Sequence, residues 1–242
     1  MFQSIAAQYE RFRLDFPDRL LARVATLAGL KPGDAVLDLG CGTGMLAMGF
    51  ARLGMAVTAM DPEPEMLAAT GAAARGLAVT PILGGSQDLT PAMGPFRLVT
   101  MGRSFHWMDR AATLAMLDKI VTPDGGVALF HDAHPPVAEN GWFKTLCEVQ
   151  ERYRQDKKVQ DKTAARTGGH RRYEPFLFAS AFTQLDGLSV TIRQPLGIED
   201  IVGRAFSMSH SALPGAQREE FAGALAAALR ELSPDGKFVE VA

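Results

Sequence analysis

The stretch VLDLGCGTGMLAMGF, Val36 to Phe50, constrains this chain more than any other. A short apolar run gives way to Gly40, Gly42 and Gly44, and then to apolar residues at helical spacing. Glycine adopts positive φ without steric cost and lets a ligand lie against bare backbone. A strand that turns through glycines directly into a helix belongs to an α/β fold with a parallel sheet.

The same rhythm recurs downstream. The sequence predicts a strand at Ala35–Asp38 and a helix at Gly44–Arg52, then a strand at Val57–Asp61 and a helix at Pro64–Ala74. A strand at Val79–Leu83 leads to a short element around Gln87–Met93, and a strand at Leu98–Gly102 precedes a helix at Arg110–Ile120. A fifth strand, Val127–His131, follows the turn signal Pro123-Asp124-Gly125-Gly126. Short, apolar strands of this kind are buried on both faces by helices. After residue 138 the rhythm breaks into an amphipathic helix carrying Trp142, Leu146, Val149 and Tyr153 at helical spacing. Strand character returns at Ser189–Gln194, helices at Ile198–Phe206 and Pro214–Leu232, and a strand at Lys237–Val241. The expected fold is a Rossmann-like, doubly wound seven-stranded sheet with its last strand antiparallel. It forms one domain over residues 1–242: an N-terminal helical arm (1–30), a ligand-binding core (31–134), a helical insertion after the fifth strand (135–180) and a C-terminal part completing the sheet (181–242).

Composition narrows the function. Among 242 residues 47% are apolar, 21% are charged and the net charge is −2, so no global basic field suggests nucleic acid. The N-terminus carries charges by Glu10 and Arg11, and no stretch approaches the roughly 18 apolar residues of a membrane span. The two cysteines, Cys41 and Cys147, do not make a disulfide framework, which points to a reduced, cytoplasmic setting. For Cys41 a small apolar filler is the commoner role, with a reactive thiol as the alternative.

The glycine turn itself discriminates among ligands. It reads G-x-G-x-G; a dinucleotide fingerprint wants its third glycine at position 45, which is Met45. A phosphate loop needs a lysine and a hydroxyl residue after the last glycine, and Met45 and Leu46 stand there instead. Asp38, at the end of the first strand, would repel a pyrophosphate but suits an ammonium or sulfonium. Asp61, ending the second strand, can accept from a ribose diol. Asp88 follows the third strand and can accept from an adenine amino group. Three acids at three successive strand ends describe a nucleoside with a cationic tail.

VLDLGCGTG, VTAMDPEPEML and SQDL resemble the class I S-adenosylmethionine-dependent methyltransferases over about residues 31–131. Within them, FRLVTMGRSFHWMDR is similar to small-molecule enzymes of the trans-aconitate methyltransferase-like group, as is the arm segment Tyr9–Pro17, where Leu14 replaces a usual proline. The resemblance implies that Gly40, Cys41 and Gly42 lie under the methionine part of the cofactor and that Asp38 holds its ammonium, directly or through water. It places Asp61 on the ribose, Pro62 and Met66 beside the adenine, and Gln87 and Asp88 at the adenine edge. Tyr9 and Arg13 would close over the methionine end, and Met101 to Ser104 would pass beside the sulfonium.

Methyl transfer needs alignment and exclusion of water, with no metal; a base is required only for a nucleophile that still holds its proton. His106 is the candidate base, with substrate contact or the pocket floor as alternatives, and Trp107 stands beside it. His131-Asp132-Ala133-His134 invites a metal reading but lacks a distant third ligand, so substrate contact by His131 and His134 is preferred. Trp142, Phe143, Tyr173 and Phe176 either wall a pocket, Trp142 foremost, or seat the insertion. Residues Gly141–Glu174 hold nine Lys or Arg against five acids, which suits an anionic substrate or a solvated helix face. The expectation is an S-adenosylmethionine-dependent methyltransferase of a small molecule, releasing S-adenosylhomocysteine. It would be a monomer or homodimer with no nucleic-acid or membrane partner. An NAD(P)-dependent oxidoreductase and a catalytically silent cofactor-binding scaffold are the alternatives.

Overall fold

The structure, a computed structural model, describes residues 11–153, 173–207 and 215–242. Tyr9 and most of the basic residues of the insertion fall outside them. The chain packs into two compact units, one of Asp15–His131 with Arg166–Ser189, the other of Met1–Leu14, Asp132–Ala165 and Val190–Ala242.

The first unit is built on β1 (Ala35–Leu39), whose Val36, Leu37 and Leu39 are completely buried. Successive side chains on a strand point to opposite faces, so this short run feeds two cores. Val36 packs with Leu21 and Ala25 of α1 (Asp18–Leu27) and with Phe50 of α2 (Met45–Arg52). Leu37 and Leu39 pack on the other face with Met60, Val99, Leu114 and Leu117. A Cβ at Gly49 of α2 would lie 2.2 Å from the Leu21 side chain, so α1 and α2 approach through a missing side chain.

β1 pairs in parallel with β2 (Ala56–Asp61) and β4 (Phe96–Gly102), and β3 (Val79–Leu83) and β5 (Val121–Phe130) complete the order β3-β2-β1-β4-β5. The crossovers run through α2, α3 (Pro64–Ala73) and α4 (Arg110–Ile120). The Gln87–Met93 element resolves into two 3₁₀ turns, Ser86–Asp88 and Pro91–Met93. β5 starts earlier than its apolar run. Phe96 pairs with Val121 and Leu98 with Gly126, so Pro123–Gly126 is an irregularity inside the strand instead of a turn before it. Among the described residues, α5 (Gly141–Arg152) is followed in the chain by the short helix α6 (Glu174–Phe178). The Tyr173 ring before it packs edge-on against Phe105, 5.2 Å away, and Arg110 covers Tyr173 and Phe176.

The second unit corrects the expected seven-stranded sheet. β6 (Arg193–Gly197) and β7 (Lys237–Val241) pair with each other, antiparallel, as a separate two-stranded sheet; the parallel sheet has five strands. The ladder also sits further along than Ser189–Gln194, running Arg193↔Val241 to Gly197↔Lys237. Local pattern reveals strand character but not the strand that satisfies it, and here each of the two satisfies the other. Around them pack α5, α7 (Ile198–Ser207) and α8 (Gly215–Leu232), burying Trp142, Leu146, Ile201, Phe221, Leu225 and Leu229.

Candidate functional site

In an open α/β sheet, ligands bind beyond the carboxyl ends of the strands where the strand order reverses. Here that point lies between β1, which continues to β2, and its other neighbour β4. The glycine turn leaves β1 there. Gly40, Gly42 and Gly44 have φ of 70°, 58° and 87°, all in the left-handed region. Gly40 is glycine because of its neighbour: a Cβ there would lie 2.5 Å from Ser104 Cβ. Gly42 differs, since a Cβ there would meet nothing within 4 Å. The turn presents bare backbone to open space at that residue. Its N–H donates to Asp61 Oδ2 (2.8 Å), and its carbonyl accepts from the Thr70 hydroxyl (2.8 Å).

Asp38 is 1% exposed. Gly44 offers no side chain to cap α2, and Asp38 does that work from β1: its Oδ2 accepts from Ala47 N–H in the first turn (3.0 Å). Its Oδ1 accepts from the Thr100 hydroxyl (3.0 Å). Burial, opposed by these two hydrogen bonds and aided by the nearby Asp61, pushes its pKa up to about 7. Asp61, also buried, accepts from Glu63 N–H at Oδ1 (3.0 Å) as well as from Gly42. Burial, then Asp38 and Asp61, push the Cys41 thiol far up, so it stays protonated; it packs in the core against Thr70.

The remaining expected residues fall in several places. Pro62 is exposed and Met66 half-buried at the start of α3. Gln87 and Asp88 are exposed on the turn after β3, where Asp88 Oδ2 accepts from Gly85 N–H (2.8 Å) and Gln87 Nε2 (2.9 Å). Met101 lies in the interior cluster with Leu37 and Leu39. The Ser104 hydroxyl donates to the Leu39 carbonyl (2.8 Å), tying the end of β4 to the end of β1. His106 is half-buried on the 3₁₀ turn Phe105–Trp107, its ring centre 5.0 Å from that of Trp107, which is 55% exposed. His131 is exposed just past β5.

Arg13, His134 and Trp142 belong to the second unit. The Arg13 guanidinium donates to the Ser207 carbonyl (3.1 Å). Trp142 has no exposed surface and donates its indole N–H to the Val239 carbonyl (3.2 Å). His134 stacks on Phe143 at 4.3 Å and pairs with Glu240 Oε1 through Nε2 (2.7 Å). The structure thus gives Trp142 and His134 interior packing partners. Trp142 and Phe143 fall in one unit, Tyr173 and Phe176 in the other. Among the described residues, no three His, Cys, Asp or Glu side chains gather as metal ligands, and no helix is long and apolar enough to cross a membrane. A surface hollow lined by Ile198, Glu199, Asp200, Arg230, Pro234 and Asp235 includes none of the expected site residues.

Sequence reasoning missed Thr70 and Thr100, which grip the turn and its acid. The threonines carry no distinguishing signal.

Residues 36–125 match a family model described as "Methyltransferase domain". An uncharacterized methyltransferase of Mycobacterium tuberculosis is 28% identical over 148 residues, 61% of this chain and 58% of that protein. Nocamycin O-methyltransferase of Saccharothrix syringae is 30% identical over 143 residues, 56% of this chain and 51% of that protein. The chain thus spans a little over half the length of these relatives. Among solved structures, the YcgJ protein of Bacillus subtilis shares the fold, with a TM-score of 0.56 at 15% identity over 93% of this chain and 94% of that one.

Proposed function

We propose that the whole chain works as its central segment does: residues 36–125 form a methyltransferase domain of the S-adenosylmethionine-dependent type, and the chain uses it to methylate a small molecule. The observation that carries this is Gly42, with left-handed backbone, open space where a side chain would be, and an N–H held by the acid that ends β2.

The residues present fit the cofactor. A Cβ-free cradle lies between two buried carboxylates, and the acid nearest the turn is uncharged over part of the physiological pH range because burial disfavours its charge. When bound, S-adenosylmethionine supplies a methyl group on a cationic sulfur. Asp38 acts on a cation there through its field, since both oxygens are engaged by the fold. Asp61 retains a second lone pair on each oxygen, enough to accept from a diol while holding Gly42 and Glu63. Pro62 and Met66 flank the adenine, and Gln87 and Asp88 meet its edge. Ser104 keeps the loop after β4 against the turn. His106 would accept the proton of an O–H or N–H acceptor on a ring nitrogen, and Trp107 and His131 would face that acceptor.

The nocamycin enzyme supports a small acceptor, and Phe105-His106-Trp107 supports the trans-aconitate methyltransferase-like grouping. The excess of Lys and Arg in Gly141–Glu174 supports an anionic one. Calorimetric titration with S-adenosylhomocysteine and with NAD⁺ tests the reading. Binding of the first and not the second is expected; the reverse pattern overturns it.

A further inference from the structure

We propose that Thr70 is a positioning residue for the cofactor: its hydroxyl holds the glycine turn in the shape that receives the methionine part. The proposal deepens the methyltransferase reading and rests on it. α3 has a single buried residue, and that residue is Thr70, with no exposed surface. A helix normally turns an apolar stripe to the interior, and a buried hydroxyl costs free energy unless it is bonded. The usual bond for a helical threonine runs to the carbonyl four residues back. Thr26 and Thr145 make that bond in this chain, donating to Ala22 and Gly141. Thr70 donates out of its helix instead, to the Gly42 carbonyl (2.8 Å).

The glycine turn gives that bond its use. A Cβ at Gly40 would lie 2.5 Å from Ser104 Cβ, and one at Gly44 would lie 2.9 Å from the Met48 methyl and 3.0 Å from Thr70 Cγ2. Close neighbours surround both of these glycines. A Cβ at Gly42 would meet nothing within 4 Å. Glycine takes positive and negative φ about equally readily, so sterics alone leave Gly42 loose. Two hydrogen bonds hold it. The peptide before its Cα is fixed at the N–H by Asp61 Oδ2 (2.8 Å), and the peptide after it is fixed at the carbonyl by Thr70. One bond constrains φ and the other constrains ψ. Being fully buried, Thr70 acts on a ligand only through Gly42.

Met66, which the proposed function sets beside the adenine, lies four residues before Thr70 on the same face of α3. The helix thus serves the two ends of the cofactor by different means. It meets the adenine with a side chain and the methionine part through the backbone of the turn. Without the hydroxyl, the Gly42 carbonyl is free to turn to water, and the receiving shape is populated only part of the time. Apparent affinity falls by that fraction.

Thr70→Val, Thr70→Ser and Thr70→Ala in the full chain test this by calorimetric titration. Valine keeps the shape and loses the hydroxyl; serine keeps the hydroxyl and loses the methyl that faces Gly44. Thr70→Val should bind S-adenosylhomocysteine about fivefold more weakly, the scale of one lost hydrogen bond. 5′-Methylthioadenosine has the thioether nucleoside without the amino acid, and its affinity should be that of the parent. Thr70→Ser should keep the parent's affinity for both ligands although its thermal midpoint falls. Thr70→Ala should repeat the valine result, and it decides the matter if the valine variant does not fold. Parent-like S-adenosylhomocysteine affinity without the hydroxyl overturns the proposal. So does an equal loss for both nucleosides, which loosening of α3 beneath the adenine would produce. An equal loss in Thr70→Ser also overturns it, since packing would then be the cause. A parent protein that binds neither nucleoside overturns the methyltransferase reading instead.

Discussion

Each of the two units buries a carboxylate, and the two are treated in opposite ways. Glu240, on β7, is fully buried and is met by charge from its own fold: Oε1 accepts from Arg204 Nη1 and from His134 Nε2, and Oε2 from Gln194 Nε2 (2.7 Å). Burial by itself would raise its pKa, but His134 and Arg204 outweigh that and hold it down at about 2. Asp38, on β1, is as deeply buried, and among the described residues it meets only a backbone N–H, a hydroxyl and a second acid. Its pKa rises to about 7. The difference teaches where the fold has finished its electrostatics and where it waits for a partner. The Glu240 charge is neutralised from within and serves structure, tying β7 to α7 and to the loop before α5. On the proposed function, Asp38 would gain its cation only from the bound cofactor.

The largest expected effect tests the finished side. Glu240→Gln leaves Arg204 buried without its counter-charge, and a loss of about 3–5 kcal/mol is expected in urea unfolding. It also removes an acid limb. Glu240 stabilises the fold above its unfolded pKa of 4.5, and that contribution is lost as pH falls from 4.5 towards 2. A loss below about 1 kcal/mol would break the contrast between the two sites.

Asp38→Asn tests the waiting side and should produce a smaller, pH-dependent effect. The folded protein holds the Asp38 proton more tightly than the unfolded chain does. Its contribution to stability is therefore greatest below about pH 4 and declines as pH rises towards 7. The slope is at most about 1.4 kcal/mol per pH unit. Asparagine keeps both hydrogen bonds, accepting from Ala47 N–H and donating to the Thr100 hydroxyl, and removes the slope. Near pH 6, S-adenosylhomocysteine should displace a proton from the parent and none from the variant, read by calorimetry in two buffers of different ionisation enthalpy. Equal slopes and equal proton release would show that Asp38 is as settled as Glu240.

His106→Ala should move stability least of all, since it touches neither carboxylate. Both pH profiles are expected to stay as in the parent, and S-adenosylhomocysteine affinity within about twofold, while turnover falls at least tenfold, about 1.4 kcal/mol. Unchanged turnover would remove His106 from the chemistry.

Much of the first unit was legible in the sequence because its signals are local. The alternation of apolar strand and helix located β1 through β4 and their helices to within about two residues. The three glycines announced a turn of positive φ, and the acids at 38, 61 and 88 stand at the strand ends where the pattern put them. The second unit was less legible because its facts are pairings across long separations. Nothing near Arg193 states that it faces Val241, and nothing near His134 states that Glu240 lies against it, 106 residues away. An aromatic and an imidazole after a strand, such as Trp142 and His134, read the same in a sequence whether they face a ligand or a core.

By itself the sequence determined the parallel sheet, the glycine turn and the class of ligand that suits it, because backbone conformation and strand-end chemistry depend on residues next to one another. Only the tertiary structure decided that β6 and β7 stand apart as their own sheet, that Thr70 bonds Gly42, and which of two buried acids is matched by a cation. Those outcomes depend on which distant groups come within a few ångströms, and desolvation and Coulomb attraction act over that range whatever the order of the chain.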